Sequence, residues 1–305
     1  MVESYSFLYD PIPDVISIII PTHNRDHYIT ETLNSIEKQQ YNQIEIIVVD
    51  DNSSDNTKEV VLQYSKDSRF PIRYLVSDGV GGNHARNLGI VNSKGSYIQF
   101  FDDDDLVTED FFTARIDSIK SGKYDFATCD FTYFLGDTNN IVGYKSISDI
   151  PHTIYSHLYH YALPTPCFLF TRKAIERIGF WNESIHRLQD MSYYHRVFKE
   201  GLNGFWMDKS LYLARIHDNC ISKTVGNDTM IDAWAAISQE WKGIDQIDDV
   251  RKLCMERMWE LASDYRVKGH FFKWLNECFF MFYRFPQQFC PLLLTKTRNR
   301  IINNA

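Results

Sequence analysis

Short apolar runs that end in polar clusters recur along the first third of the chain. Val15 to Ile20 is uninterrupted and mostly β-branched before Pro21, and Ile44 to Val49 repeats the pattern before Asp50 and Asp51. Runs of this length without alternation predict strands buried on both faces. Between them, residues 27 to 40 space Tyr28, Ile29, Leu33 and Ile36 along one face of a helix, so the chain opens β-α-β. Ser53 or Ser54 is placed to cap a helix over about 55 to 66. Ile72 to Leu75 predicts a third strand, Ala85 to Asn92 another helix and Tyr97 to Phe101 a fourth strand.

Beyond residue 125 the alternation weakens. Asp125 to Phe134 predicts a strand, 136 to 150 a polar turn region, and Cys167 to Phe170 a short strand. Thr171 to Ile178 predicts a short helix ended by Gly179, and Met191 to Lys199 one stopped by Gly201. After Ser222 the chain is expected to be helical, with strong periods in 229 to 242 and 248 to 265. Strands alternating with helices predict an α/β fold on a mainly parallel sheet, whose ligand site lies at the carboxyl ends of the strands. Thr22 to Arg25, Asp50 to Asn52 and Asp102 to Asp105 all fall at those ends.

The third cluster is four consecutive aspartates after a buried strand. Adjacent carboxylates repel by roughly 1 kcal/mol at about 4 Å even in bulk water, so folding alone does not favour them. Side chains alternate along an extended chain, so Asp102 and Asp104 can face one side and share a hard divalent cation such as Mn²⁺ or Mg²⁺. A solvated acidic turn is the alternative.

Composition narrows the class. With 305 residues and 44% hydrophobic content the chain can bury a large core, and its 15% aromatic content suggests wide contact surfaces or a groove for planar or sugar rings. A formal charge of −8 argues against a general nucleic-acid binder. That average conceals an asymmetry: residues 266 to 305 hold seven Lys or Arg against the single acid Glu277, giving +6 there and −14 elsewhere. Six cysteines with no CxxC pair indicate neither a zinc site nor a disulfide framework. The acidic N-terminus has no apolar signal core, and no stretch reaches the roughly 18 apolar residues of a membrane span, so a cytoplasmic location is expected.

Six segments, SIIIPTHNR, IEIIVVDDNSSDNT, GGNHARNLGI, GSYIQFFDDDD, IGFWNESIHRLQD and ARIHDNCIS, in that order and spacing, closely resemble the family 2 nucleotide-sugar glycosyltransferases over about 15 to 225. The resemblance implies a glycosyltransferase-A fold, with a Rossmann-like sheet flanked by helices, a nucleotide-diphospho-sugar donor, a divalent metal and inversion at the anomeric carbon. It divides the chain into a nucleotide-sugar half (1 to 125), an acceptor half of the same domain (126 to 225) and a helical C-terminal region (226 to 305).

Carried over position by position, the resemblance puts Thr22, His23 and Asn24 against the nucleotide base, with a plain loop histidine as the alternative for His23. Asp51 matches the carboxylate that accepts a hydrogen bond from the base, which suits a uracil or guanine N–H. Asp50 reads as structural, and Asn52 and Ser53 as turn and cap residues. Arg86 can reach the Asp cluster or the phosphates, or hold Asp50 or Asp102 in place. Asp104 matches the direct metal ligand, Asp102 lies nearer ribose or metal, and His217 matches a further metal contact or is a packed histidine.

On the acceptor side Asp190 matches the base that takes the proton of the attacking hydroxyl, with an N-cap role for a helix starting near Met191 as the alternative or companion. Gln189 stands where the family commonly has Glu, and Trp181, Asn182 and Glu183 where it often has Phe-Asp-Glu. Trp181 suits the apolar face of a sugar or the core. In the segment 266 to 305, Phe271, Phe272, Trp274 and Phe279 alternate with Lys and Arg, which fits a helix in the headgroup region of a membrane, where a lipid-linked acceptor would be met. A helix packed on the catalytic domain or in a homodimer interface is the alternative.

The reading is a metal-dependent inverting hexosyl- or N-acetylhexosaminyl-transferase using a UDP-sugar, with a glycan or lipid-linked acceptor, in bacterial surface-polysaccharide synthesis. A sugar-nucleotide nucleotidyltransferase would carry a Gly-rich basic loop after its first strand, which PTHNR does not resemble, and an Asp-x-Asp phosphatase would have its nucleophile where Pro21 and Thr22 stand. The remaining alternative, suggested by Gln189 and Asn182, is a catalytically silent sugar-nucleotide or glycan-binding protein.

Overall fold

The computed structural model describes residues 5–153, 164–194, 196–217, 247–284, 287, 289, 290 and 292. The chain divides into two compact units, one of Met1–Thr153 and His160–Asp218, the other of Ile154–Tyr159 and Asn219–Ala305.

The first unit is built on one mixed sheet. Strands β1 (Ile12–Thr22), β2 (Ile44–Asp50), β3 (Ile72–Val76) and β4 (Gly95–Phe100) alternate with helices α1 (Ile29–Glu37), α2 (Thr57–Tyr64) and α3 (Gly82–Asn92). They pair in parallel in the order β3-β2-β1-β4. Ile16, Ile18, Ile19, Ile20, Ile46 and Val48 are fully buried because helices cover both faces. Alternate residues of β2 serve opposite layers: Ile46 and Val48 join the main core with Leu33 and Val61, whereas Ile47 and Val49 cluster with Ala85 of α3. Gly89 lets α3 lie close to β1, since a Cβ there would stand 2.3 Å from Ile19 Cγ2.

Beyond β4 the parallel expectation gives way to mixed pairing. After β5 (Leu106–Val107) and helix α4 (Thr113–Lys120), strands β6 (Phe126–Leu135), β7 (Asp137–Lys145), β8 (Leu169–Thr171) and β9 (Gly204–Ile216) extend the sheet in the order β4-β8-β6-β9-β5, with β7 on β6. β8 runs antiparallel to both β4 and β6, β9 runs parallel to β6, and β5 antiparallel to β9.

Four differences from the sequence reading have physical causes. The expected turn region 136 to 150 contains β7, which turns back from β6 at Gly136 with φ +70°. It is exposed over nearly its whole length, so no period-two pattern marks it. β9 is interrupted at Asp208 and Lys209, where the register against β6 shifts. α4 is masked by Arg115, which is fully buried yet satisfied by the carbonyls of Phe111 and Cys167 and by Gln99 Oε1. The aromatic content fills the core of this half: Phe168 stacks on Tyr194 at 4.5 Å, and Trp181 on Tyr193 at 4.0 Å.

In the second unit, helices Ile247–Val267 and Phe271–Arg284 are joined through Gly269 at φ +82°, and His270 N donates to Tyr265 O. Leu253, Met255, Met258, Ala262 and Met281 are buried. The helical period expected over 248 to 265 is realised; that over 229 to 242 lies outside the described residues.

Candidate active site

The site is assembled from the carboxyl ends of β1, β2 and β4. At β2 the chain turns through Asn52 in the left-handed region, φ +63°, and Asp50 Oδ1 accepts the N–H of Ser53 at 2.7 Å. Asp50 is buried and also receives the Tyr74 hydroxyl, the structural role expected of it. Asp51 turns the other way: Oδ1 accepts from Ser77 Oγ at 2.5 Å and Oδ2 from Gly81 N at 2.9 Å, which ties the glycine loop before α3 to the end of β2. Gly79 lies against Asn52, where a Cβ would meet Asn52 Cβ at 3.1 Å.

At β1, Thr22 is buried, its carbonyl accepts Asp51 N at 2.8 Å, and its side chain faces Asp103. The exposed His23 ring places Nδ1 2.8 Å from the Asp51 carbonyl and Nε2 2.9 Å from Asn24 Nδ2. Asn24, itself left-handed at φ +53°, donates its N–H to Ser53 Oγ and accepts Ser54 N. Ser53 and Ser54 thus hold this turn to β1 instead of capping α2, whose N-cap is Asn56. Thr22, His23, Asn24 and Asp51 form one shelf at the ends of two adjacent strands.

The aspartates divide as the alternation predicts. Asp103 and Asp105 are buried at 8% and 5% exposure, while Asp102 and Asp104 are partly open. Asp105 receives the Tyr212 hydroxyl and the backbone N–H of Arg215 at 2.7 Å. Asp103 lies 3.4 Å from Arg25 Nε, and burial, reinforced by the Asp104 charge, pushes its carboxyl up to about 7. Burial also raises Asp102 to about 6; Arg86 opposes this, and the charges of Asp104 and Asp190 add to it. Carboxylates 88 positions apart in sequence, Asp102 and Asp190, therefore lie within electrostatic reach of one another, with Arg86 bridging Asp102 to Gln189.

His217 reaches the aspartates through strand pairing. Leu106 and Val107 pair antiparallel with Leu213 and Tyr212, which brings the end of β9 back across the aspartates. Arg215 Nε donates to the Asp104 carbonyl at 2.8 Å, and His217 Nε2 lies 2.9 Å from Asp104 Oδ2. Arg25 Nη2 stands 3.7 Å from the same oxygen. Among the described residues, no group of three or more His, Cys, Asp or Glu side chains is placed so as to hold a metal ion by itself. The two partly open carboxylates are oxygen donors of the hard kind that Mg²⁺ and Mn²⁺ take, and the His217 imidazole beside them is a borderline nitrogen donor. Such ions usually bind through one or two protein carboxylates and complete their shell with water and phosphate oxygens.

Arg86 links the two sides. Its Nη2 donates to Asp102 Oδ1 at 3.3 Å, its Nη1 to Gln189 Oε1 at 3.0 Å, and its guanidinium lies 4.7 Å above the Trp181 ring. Asp190 follows in the first turn of helix Gln189–Tyr194, so it is not the N-cap; its Oδ1 accepts Met191 N at 2.8 Å. Burial raises its carboxyl above the usual range, against the lowering effects of the Met191 N–H and of Arg86. Leu188, just before this turn, is left-handed at φ +52°, a conformation that costs an apolar residue about 1–3 kcal/mol and must be enforced by its surroundings.

Trp181 is 3% exposed and sandwiched in the core, so its ring offers no face to a sugar here. Glu183 is tied down rather than open: it accepts Tyr5 OH at 2.6 Å and Asn87 Nδ2 at 2.7 Å, with His84 Nδ1 at 3.3 Å. Burial would raise its carboxyl, but these hydrogen bonds outweigh it and hold Glu183 below the usual range. Asn182 Oδ1 accepts both Ser184 N and Ser184 Oγ, closing a turn in a way that does not require an aspartate. Arg25, Asn83 and Asn87 lie in the segments PTHNR and GGNHARN that the sequence singles out, though with no role assigned to them there; no sequence pattern marks Tyr5.

The profile of Glycosyl transferase family 2 matches residues 17–179, and this span contains the shelf and the aspartates. The chain belongs to glycosyl transferase family 2. It is similar to the glycosyltransferase GlyA of Streptococcus pneumoniae, 28% identical over 232 residues, which cover 70% of this chain and 32% of GlyA. It is also similar to TuaG of Bacillus subtilis, a putative teichuronic acid biosynthesis glycosyltransferase, at 25% identity over 74% of this chain and 86% of TuaG. The chain thus spans about a third of GlyA's length and most of TuaG's. Among solved structures, residues 1–349 of S. aureus TarS in complex with UDP-GlcNAc superpose with a TM-score of 0.71 at 19% identity, covering 90% of this chain and 82% of that one. That likeness fixes the glycosyltransferase-A fold for this family 2 chain.

Proposed function

We propose that this chain is an inverting glycosyltransferase that moves a sugar from a UDP-sugar to a hydroxyl of a glycan or lipid-linked glycan in surface-polysaccharide synthesis. The observation that carries the reading is the convergence of Asp102, Asp104, His217 and Asp190 at the carboxyl end of a nucleotide-binding-type sheet, with Arg86 joining the two sides. TuaG, named for teichuronic acid biosynthesis, and TarS, solved with UDP-GlcNAc, support the pathway and the donor.

In this reading the shelf of Thr22, His23, Asn24 and Asp51 receives the base, with Asp51 accepting the uracil N–H and His23 lying against the ring. Asp102 and Asp104, with His217, would hold Mn²⁺ or Mg²⁺, which when bound supplies positive charge to the diphosphate. Arg86 keeps Asp102 oriented toward the donor while fixing Gln189, and through it the turn that carries Asp190. Gln189 suits this double link, because a neutral acceptor leaves the Arg86 charge to Asp102. Asp190 takes the proton from the acceptor hydroxyl as its oxygen bonds to the anomeric carbon from the side opposite the phosphate. The bond to phosphate breaks, and its electron pair leaves with the nucleoside diphosphate. A carboxylate raised by burial is a stronger base than a solvated one, which favours this role.

A thermal-shift titration against UDP, GDP, CDP and dTDP, each with Mn²⁺, Mg²⁺ or EDTA, tests base and metal together, because ligands of the native state raise its melting temperature. Stabilisation is expected with UDP and metal, lost in EDTA and in Asp104→Ala. No shift with any nucleotide would sink the transferase reading.

A further inference from the structure

Helix Phe271–Arg284 carries an aromatic face. At 3.6 residues per turn, Phe271, Phe272, Leu275, Phe279, Phe282 and Tyr283 fall within one arc of about 120°. Five of these six are exposed: Phe271 at 52%, Phe272 at 84%, Phe279 at 65%, Phe282 at 51% and Tyr283 at 90%. The other side is inward, with Met281 buried and Trp274 and Cys278 half-buried. Isolated exposed apolar residues are ordinary on protein surfaces; five large aromatic side chains on one helical arc mark an interaction surface.

Charge selects the occupant. The segment from 266 to 305 carries seven Lys or Arg and one acid, whereas the rest of the chain is strongly acidic. Two copies meeting through this face would bring two segments of +6 together, which repel; an anionic surface would neutralise them. The helix has 14 residues, about 21 Å, too short for a bilayer core of about 30 Å, and no described helix is long and apolar enough to cross a membrane. An aromatic arc on a short helix in a cationic segment matches helices that lie in the headgroup layer, rings toward the acyl chains and charges among the lipid phosphates.

We infer that helix Phe271–Arg284 is a membrane-docking element that lays its aromatic arc into the interface of an anionic lipid bilayer. This goes beyond the transfer reaction and rests on the second unit alone. It gives the tail a role independent of donor and metal.

Flotation of the full chain with neutral phosphatidylcholine vesicles and with mixed phosphatidylcholine–phosphatidylglycerol vesicles tests it. The chain is expected to float with the anionic vesicles, less at high salt, and poorly with neutral ones. Phe272→Ser, Phe279→Ser and Tyr283→Ser each remove an exposed ring, and each should weaken partitioning on the order of tenfold, the triple variant most. Because these side chains are exposed, their loss opens no cavity, and circular dichroism and melting temperature should match the parent. Should the triple variant misfold, Tyr283→Ser, the most exposed position, carries the test alone. Absence of flotation, or equal flotation of parent and variants, overturns the inference. So does light scattering that finds a parent dimer turned monomeric by the same substitutions with no lipid effect, which would make the face an interface between copies.

Discussion

The two sides of the site are held by different means. On the side proposed to take the donor, Thr22, Asp51 and Asp102 project from the ends of buried parallel strands, and the turns after β1 and β2 are tied to each other over about thirty residues, through Asn24, Ser53 and Ser54. On the side proposed to take the acceptor, the stretch from Gly179 to Leu188 has no regular element and is gripped by side chains about a hundred residues away. Asn83 Nδ2 donates to the carbonyls of Asn182 and Ile185, and Asn87 exchanges hydrogen bonds with the Trp181 backbone and binds Glu183. Tyr5 adds its hydroxyl to Glu183 and stacks on Phe180 at 5.1 Å. The first side is therefore tied to the sheet, whereas the segment leading to Asp190 is held by polar contacts from one face of α3 and the helix that carries Asp190 by the buried rings of Tyr193 and Tyr194.

This contrast can be tested at both ends. The largest expected effect is at Asp190 itself. Asp190→Asn keeps a side-chain oxygen that can accept Met191 N but cannot take a proton, so kcat should fall by about a thousandfold while nucleotide binding stays intact. In the parent, burial holds this carboxyl above the usual range. The base form is gained as pH rises, so the acid limb of kcat should lie above pH of about 4, and a limb below that value would remove Asp190 from the role.

Next is Asn87→Ala, which strips the acceptor segment of its buried anchor. Leaving the Trp181 backbone groups unpaired should cost about 2–3 kcal/mol in denaturant unfolding. It should also raise the acceptor KM more than the donor KM, since the shelf at β1 and β2 makes no use of Asn87. An equal rise in both would show the two sides to be one cooperative piece.

The smallest effect is expected at the shared support. Gly89→Ala adds a methyl 2.3 Å from Ile19 Cγ2, and the strain should outweigh the better helix propensity, for a net loss of about 1 kcal/mol. Because α3 then shifts from β1 and carries both Arg86 and the Gly81 contact to Asp51, kcat and nucleotide affinity should each drop several-fold. A variant as stable and as active as the parent would mean that α3 has room to spare and does not set the Asp190 turn.

Much of the donor side could be read along the chain. Buried parallel strands announce themselves as unbroken β-branched runs, and the polar residue that follows each run falls at the ligand edge by the topology of the sheet. The alternation of Asp102 and Asp104 against Asp103 and Asp105 is likewise local, a property of extended backbone. The aromatic and basic composition of the C-terminal segment was also legible in the sequence, whereas which rings stand exposed on helix Phe271–Arg284 came from the fold.

Tertiary structure decided what depends on distant partners. β7 and β9 escaped the pattern because one is exposed and the other shifts register, and α4 because a buried arginine breaks its apolar stripe. Sequence could not tell an acceptor platform from a core residue at Trp181, nor an open carboxylate from a bonded one at Glu183. Both were settled by Tyr193, Asn87 and Tyr5, which are brought there by packing. The meeting of Asp104 with His217 follows from the pairing of β5 with β9, and that of Asp102 with Gln189 from a single guanidinium. Periodicity records which face of an element is buried; only the folded chain determines what that face is buried against.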